Sequence, residues 1–139
     1  MNARVEKNIP VYNTLIIGAG FAGLGAAIRL QQQGITDVVI LERASAVGGT
    51  WRDNQYPGAA CDIPSNLYSY SFVQNPEWNA SYSGSKDILG YIHGMVEKHQ
   101  LEPLIQFNTN VVEIAYDEST GIWNVDTNTE SYQARSVIM

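Results

Sequence analysis

The chain has 139 residues, 45% of them hydrophobic, and its 14 acidic and 8 basic side chains give a formal net charge of -6 at pH 7. This size and apolar content fit one globular domain and exclude a disordered chain. The acidic balance, without a basic cluster, excludes a phosphate-tracking nucleic-acid surface. The single cysteine, Cys61, cannot form an internal disulfide, which favours a reducing, cytoplasmic location.

The first third of the chain predicts one βαβ unit. Residues 1–10 are expected to be a flexible polar lead, and residues 11–18 (VYNTLIIG) are typical of a buried strand. A helix follows directly and ends at residues 31–34, with an apolar face of Ala22, Ala26, Ala27 and Leu30. The β-branched run at residues 37–43 predicts a second strand, which a crossover helix places parallel to the first.

The middle of the chain contains a long irregular segment and then a second helix. Residues 44–84 are rich in Gly, Pro, Asn, Ser and aromatics, too long for a simple connection, and this favours a ligand-wrapping role. A helix is predicted from Ser85, with Ser85 as its N-cap and Asp87 in the first turn. The helical spacing runs through Ile88, Ile92, Met95/Val96 and His99, with a solvated or packed role expected for the histidine.

The last third predicts two or three short antiparallel strands. Turns are expected near residues 119–121 and 128–130, where small and polar residues interrupt the alternation. The final residues 137–139 are apolar, as in a parallel strand buried on both faces. We therefore expect the sequence to stop inside a fold, as an incomplete domain.

The apolar run over residues 15–30 is too short and too rich in glycine for a membrane span. The mixed charges of Arg4, Glu6 and Lys7 before it are not the compact basic region of a signal peptide. No membrane association is expected.

Three glycines between the first strand and helix carry the strongest functional signal. Gly18, Gly20 and Gly23 form G-x-G-x-x-G, in which the first glycine permits a tight turn, the second allows close approach of a pyrophosphate and the third allows close helix packing. The helix N-terminus then faces the phosphates. The fold class is therefore α/β, a Rossmann-like βαβ unit with a parallel sheet plus a small antiparallel β-meander.

An acidic residue at the end of the second strand supports dinucleotide binding. Glu42 lies 19 residues after Gly23, where a carboxylate can accept hydrogen bonds from a ribose diol. The alternative is a solvated carboxylate at a strand end. Because an acid disfavours a 2'-phosphate, FAD or NAD is favoured over NADP at this first site.

Residues 48–72 distinguish between those two ligands. Gly48 and Gly49 allow a second close backbone approach, Thr50 offers a hydroxyl, and Trp51 and Tyr68 offer flat surfaces suited to a flavin. The alternative is that the aromatic residues of this segment only build the core. Together with the first motif, GGTW and YPGAACD…LYSYSF resemble the N-terminal part of class B flavoprotein monooxygenases. That family includes the Baeyer-Villiger monooxygenases and the flavin-containing N- and S-oxygenating enzymes, and the resemblance runs from about Tyr12 to Met139.

The resemblance implies FAD as cofactor and gives a role to each motif residue. The glycine turn would line the pyrophosphate, and Glu42 the adenosine ribose. Val111 would meet adenine through its backbone. The residues implied near the flavin and its ribityl chain are Gly49, Thr50, Trp51, Asp62 and Tyr68. The residues implied at the pyrophosphate are Gly18, Gly20, Phe21, Ala22 and Gly23.

Asp62 is the candidate catalytic residue that the resemblance implies. In similar enzymes an aspartate at this place lies beside the flavin where NADPH docks, and it helps to hold a catalytic arginine. A lone loop aspartate is otherwise more often a turn or cap residue. We reject Cys61 as a nucleophile, because no paired histidine is indicated, and the spacing of Cys, His and carboxylates predicts no metal site.

The implied reaction is an NADPH- and O2-dependent monooxygenation of a ketone or of a nitrogen- or sulfur-containing small molecule. Family members carry a second glycine-rich motif for NADPH, a linker motif and the catalytic arginine after the position of Met139. The chain is therefore expected to be inactive by itself and to need a missing C-terminal portion, or to self-associate. Two other hypotheses stay open: a non-catalytic module that binds FAD or another adenine dinucleotide, and half of an NAD-dependent dehydrogenase, against which GGTW argues.

Overall fold

The computed structural model describes residues 9–139, so the predicted flexible lead at residues 1–10 lies mostly outside the described residues. Within these residues, short 3-10 turns at Ser65–Leu67 and Glu102–Leu104 accompany three helices and six strands. The helices are α1 (Phe21–Gln32), α2 (Thr50–Asp53) and α3 (Ser85–Lys98). The strands are β1 (Val11–Ile17), β2 (Val38–Leu41), β3 (Ile105–Gln106), β4 (Val111–Asp117), β5 (Ile122–Thr127) and β6 (Ser131–Ile138).

The strands form one mixed six-stranded sheet in the order β3-β2-β1-β6-β5-β4. Strand β1 pairs in parallel with β2 and β6, and β2 pairs in parallel with β3. Strands β4, β5 and β6 form an antiparallel meander. The predicted α/β fold, with a parallel sheet and an antiparallel meander, is confirmed, and β6 belongs to both parts.

Helices α1 and α3 cover one face of the sheet and form the larger core. Leu24, Ala27 and Ile28 are fully buried on the inner face of α1. The predicted apolar face is confirmed in part: Ala27 is buried and Ala26 and Leu30 pack against the core, whereas Ala22 is exposed. The large side chains at positions 24 and 28 determine which face turns inward, since they bury more apolar area than alanines.

Helix α3 buries Ile88, Ile92 and Met95 as expected, and Asp87 lies in its first turn. Ser85 is not the N-cap, however: Gly84 holds that position, and no side chain caps the helix. Gly84 is held extended by an antiparallel bridge to Ala60, and the Ser85 N-H donates to the Ala59 carbonyl at 2.9 Å. This long-range pairing determines where the helix begins. His99 is the C-cap of the helix and is half-buried, and this burial lowers its pKa.

Both predicted turns of the meander are present. The Asp117 carboxylate accepts hydrogen bonds from the Ser119 hydroxyl at 2.7 Å, the Thr120 hydroxyl at 2.8 Å and the Ser119 N-H at 2.9 Å, and these bonds lower the pKa of Asp117. Ile138 packs on the larger core, and Val137 packs on a second cluster that includes Leu15, Val39 and Val125. Both stay partly exposed, and Met139 is 87% exposed. The end of β6 is thus the predicted parallel strand with packing on both faces, but its last residues are only partly buried. Over residues 9–139, helices are too short or too polar to span a bilayer.

Candidate cofactor-binding site

A cavity of about 770 Å³ opens at the carboxyl ends of β1 and β2. In open α/β sheets this edge, next to the first helix N-terminus, is where nucleotide ligands bind. Its size lies within the range of about 300–1,000 Å³ that small-molecule sites occupy. The walls come from the β1–α1 turn, the end of β2, residues 48–54, Tyr68 and residues 109–111.

The first wall is the glycine turn between β1 and α1. Gly18 has φ +98, a conformation that a residue with a side chain rarely adopts, and its N-H donates to the Leu41 carbonyl at 2.8 Å. A Cβ on Gly23 would overlap the Gly18 carbonyl oxygen, so the first turn of α1 can lie against the strand end only without a side chain there. The free N-H groups at the start of α1 therefore border the cavity.

A second glycine turn packs directly on the first. Gly48 and Gly49 have φ +125 and +50, and the Gly48 N-H donates to the Ala19 carbonyl at 3.0 Å. A Cβ on Gly49 would lie 3.2 Å from the Cα of Gly20. Two backbone segments thus meet almost without side chains between them. Together they form a continuous wall of main-chain atoms.

Glu42 is buried at the end of β2, with 3% of its surface exposed. One carboxylate oxygen accepts the Ala19 N-H at 2.8 Å. The other accepts the Ala44 N-H at 2.9 Å and an Arg52 guanidinium N-H at 3.1 Å. The alternative of a solvated carboxylate is therefore wrong. A carboxylate offers about four acceptor sites, so one remains for a hydroxyl from the cavity.

Arg52 is a member of the site that sequence reasoning missed. Its guanidinium donates to Glu42, to the Ala46 carbonyl at 2.5 Å and to both carboxylate oxygens of Asp53 at 2.8 and 3.1 Å. The hydrogen bond to Asp53, together with Glu42, raises the pKa of Arg52 above its already high value, and Arg52 in turn lowers the pKa of Asp53. The available signal was an arginine ten positions after the acidic strand end, between a tryptophan and an aspartate.

Trp51 and Tyr68 form the aromatic wall of the cavity. The indole N-H of Trp51 donates to the Tyr68 hydroxyl at 3.0 Å, and the two rings are nearly perpendicular with centroids 5.5 Å apart. Burial raises the pKa of Tyr68. Both rings line the cavity, where a planar ligand can contact them.

Other aromatic residues of the same segment are core residues. The Tyr70 ring packs 4.4 Å from Phe21 between centroids, and its hydroxyl donates to the Phe21 carbonyl at 2.5 Å. A Cβ on Gly25 would lie 2.6 Å from the Tyr70 ring, so this additional glycine makes room for an aromatic side chain and not for a ligand. Tyr56, by contrast, is 64% exposed and belongs to neither group.

The structure brings most of the predicted cofactor residues into one place. Asp62 does not line the cavity, whereas the other eleven do: Gly18, Gly20, Phe21, Ala22, Gly23, Glu42, Gly49, Thr50, Trp51, Tyr68 and Val111. Asp62 is exposed, and its charge contributes to the raised pKa of Tyr68 after the larger effect of burial. The adjacent Cys61 N-H is bonded to the Ser83 carbonyl at 3.0 Å, which holds this segment near the start of α3.

The last predictions to compare with the structure concern Cys61 and a metal site. Cys61 is buried, and its sulfur accepts the Ile63 N-H at 3.4 Å. Within residues 9–139, His, Cys, Asp and Glu side chains form no group of three or more that could hold a metal ion. Sequence reasoning also missed further residues that line the cavity: Arg43, Asp53, Asn54, Thr109 and Asn110.

Residues 15–139 match the protein family described as pyridine nucleotide-disulphide oxidoreductase. The chain belongs to this family. A Baeyer-Villiger monooxygenase of Streptomyces coelicolor is 51% identical over 112 residues, which are 81% of this chain and 22% of that protein. The FAD-binding monooxygenase ktnD of Aspergillus niger is 45% identical over 121 residues, 86% of this chain and 20% of that protein.

A solved structure agrees with this membership. Oxidized steroid monooxygenase bound to NADP superposes with a TM-score of 0.87 at 38% identity, covering 92% of this chain and 25% of that one. The resemblance to the N-terminal part of flavoprotein monooxygenases is thereby confirmed. The chain spans about a fifth to a quarter of the length of the proteins it matches.

Proposed function

We propose that this chain is the FAD-binding portion of an NADPH- and O2-dependent flavoprotein monooxygenase of the Baeyer-Villiger or N/S-oxygenating type. Residues 11–139 would form the N-terminal portion of its FAD/NAD(P)-binding domain. The observation that carries the proposal is the cavity bounded by two packed glycine turns and the Trp51–Tyr68 pair. The name of the ktnD relative supports FAD as the cofactor, and the NADP-bound structural neighbour supports NADPH as the co-substrate.

The residues present fit FAD along the length of the cavity. A diphosphate fits the turn at residues 18–23, where glycine leaves the main chain bare. The remaining acceptor site of Glu42 fits a ribose hydroxyl, and the backbone of Val111, which also lines the cavity, would contact adenine. Trp51 and Tyr68, with the hydroxyl of Thr50, lie where the ribityl chain and the ring would bind.

The bound flavin would accept hydride from NADPH and activate O2, and the protein would bind, orient and shield it. Trp51 fixes the Tyr68 hydroxyl by its hydrogen bond, so both rings present a rigid apolar surface that excludes water. Asp62, exposed beside Tyr68 and outside the cavity, would act from the NADPH side. A catalytic role of Asp62 requires that the nicotinamide, or an arginine from the rest of the protein, reaches its carboxylate.

The substrate class is a small ketone or a nitrogen- or sulfur-containing molecule, with O2 as co-substrate. The partners of this chain would be the rest of the enzyme or a second copy. A cytoplasmic location fits the single cysteine, which is buried and unpaired.

Two measurements test the proposal. The purified chain should bind FAD, seen as a yellow preparation or as saturable flavin fluorescence quenching on titration, and it should show no NADPH-dependent O2 consumption. The longer protein that includes the chain should consume O2 with NADPH and a ketone or sulfide. FAD binding without oxygenation by the longer protein would instead support the non-catalytic binding module. Failure to bind FAD, with NAD bound in its place, would support the dehydrogenase hypothesis.

A further inference from the structure

Two hydrogen bonds hold the two peptide groups on either side of Ala19, at the centre of the first glycine turn. The Ala19 N-H donates to Glu42 at 2.8 Å, and the Ala19 carbonyl accepts the Gly48 N-H at 3.0 Å. Ala19 itself is fully buried between two glycines. Because glycine flanks leave the backbone free to rotate, these two bonds determine the direction of the peptide groups that border the cavity.

The Glu42 carboxylate that makes one of these bonds is itself held by Arg52. The side chain of Arg52 is 18% exposed and that of Glu42 is 5% exposed. Removing one partner of such a shielded pair leaves an uncompensated charge, which costs far more than loss of a surface pair. Arg52 also donates to the Ala46 carbonyl, so one guanidinium connects the end of β2 with the loop that leads to the second glycine turn.

Asp53 orients this guanidinium from the other side. It accepts two hydrogen bonds from Arg52, but its own side chain is 46% exposed. An exposed ion pair contributes little because water and salt screen it. Asp53 is therefore expected to matter less than Glu42 for the position of Arg52.

We propose that Arg52 is a positioning residue for the cofactor, which holds Glu42 against the first glycine turn and so fixes the diphosphate-binding peptide groups before the cofactor arrives. The inference rests on the proposed FAD site and adds to it a residue outside the motif. Arg52 acts through Glu42 and the Ala19 peptide. A pre-organised site binds more tightly because less ordering is needed on binding.

The test compares Arg52→Met and Arg52→Lys with the unchanged chain and with Arg135→Met, a matched control on an exposed position of β6. FAD dissociation constants are measured by titration, and amide hydrogen exchange at Ala19 and Ala44 is followed by NMR. Arg52→Met should raise the dissociation constant at least about tenfold, as expected when a charge-assisted hydrogen bond is lost. Protection of the Ala19 amide should fall, while that of core amides such as Ile28 stays unchanged.

Arg52→Lys should be intermediate, because an ammonium can pair with Glu42 but lacks the planar fork that also reaches Ala46 and Asp53. Arg135→Met should match the unchanged chain in both measurements. In a double-variant cycle, Arg52→Met added to Glu42→Gln should weaken binding by less than about twofold, since both changes break the same connection. A merely structural role of Arg52 would give additive losses and a fall in protection throughout the core.

Unaltered FAD affinity together with unaltered Ala19 protection in Arg52→Met would overturn the inference. If Arg52→Met does not fold, Arg52→Lys decides by the same two measurements. If the unchanged chain binds no FAD, the proposed function fails, and amide exchange at Ala19 alone decides whether Arg52 holds the turn.

Discussion

Replacing Glu42 by alanine tests the structural role of this carboxylate apart from any ligand. The change removes the acceptor of the buried Ala19 N-H, and a buried donor without a partner costs about 1–3 kcal/mol. It also removes the Arg52 contact, where a charged hydrogen bond contributes a comparable amount, offset by the lost desolvation cost of the carboxylate. The half-buried Ala44 N-H can bind water instead. We expect a loss of about 2–4 kcal/mol, a large share of the roughly 5–15 kcal/mol that stabilises a domain.

Urea unfolding of the ligand-free chain, followed by circular dichroism, measures this loss. With a slope of about 1–3 kcal/mol per molar urea, the midpoint should fall by about 1 M or more. Glu113→Ala, an exposed glutamate on β4, is the matched control and should move the midpoint little. An equal, small shift in both variants would refute the reasoning, because Glu42 would then behave as a solvated surface group.

In a separate FAD titration, Glu42→Ala should weaken binding by about 1–3 kcal/mol through lost hydrogen bonds.

Three further predictions concern other parts of the chain. Gly20→Val should abolish FAD binding while the circular dichroism spectrum keeps its shape. Gly20 already contacts the second glycine turn, so a branched side chain must enter the space of the phosphates. Unchanged FAD affinity in a titration would contradict this prediction. Gly25→Ala should destabilise the chain by about 1–3 kcal/mol, since its Cβ would lie 2.6 Å from the Tyr70 ring, and a chain as stable as the original in urea would rule out this overpacking. Burial, with a smaller effect of Glu130, raises the pKa of Tyr132 to about 12. The contribution of the neutral Tyr132 side chain to the free energy of unfolding is therefore complete below about pH 10 and is lost as the pH rises through about 12. Tyr132→Phe should therefore reduce the fall in urea midpoint between pH 9 and pH 11, and an equal fall in both proteins would count against the assigned shift.

Local patterns were sufficient to predict β1, α1 and β2 at the cavity, together with α3 and the meander, but not the short helix α2. The G-x-G-x-x-G spacing requires a turn that only glycine can make at Gly18, and α1 begins three residues later. The 3.6-residue period predicted the buried face of α3, because large aliphatic side chains stand out against polar ones. Alternation predicted the meander and both of its turns.

Features that depend on contacts between distant residues were not predictable in the same way. Alanine and glycine give little contrast along α1, so its inner face could not be read from period alone. The start of α3 depends on the pairing of Gly84 with Ala60 across a long loop. Likewise, the Glu42–Arg52 pair joins two separate segments, and an arginine carries no sign in the sequence of which carboxylate it meets.

The parallel pairing of β1 with β6 has a consequence for synthesis of the chain on the ribosome. Thr14 and Ser136 on these strands are in contact although 122 positions separate them. Strand β2 can cover one edge of β1 early, but the other edge stays open until β6 has emerged, and an open edge invites aggregation. Such non-local pairing also slows folding. Chaperone demand should therefore be highest before Ser131 leaves the exit tunnel, and a nascent chain stopped before that residue should aggregate more readily than one that includes β6.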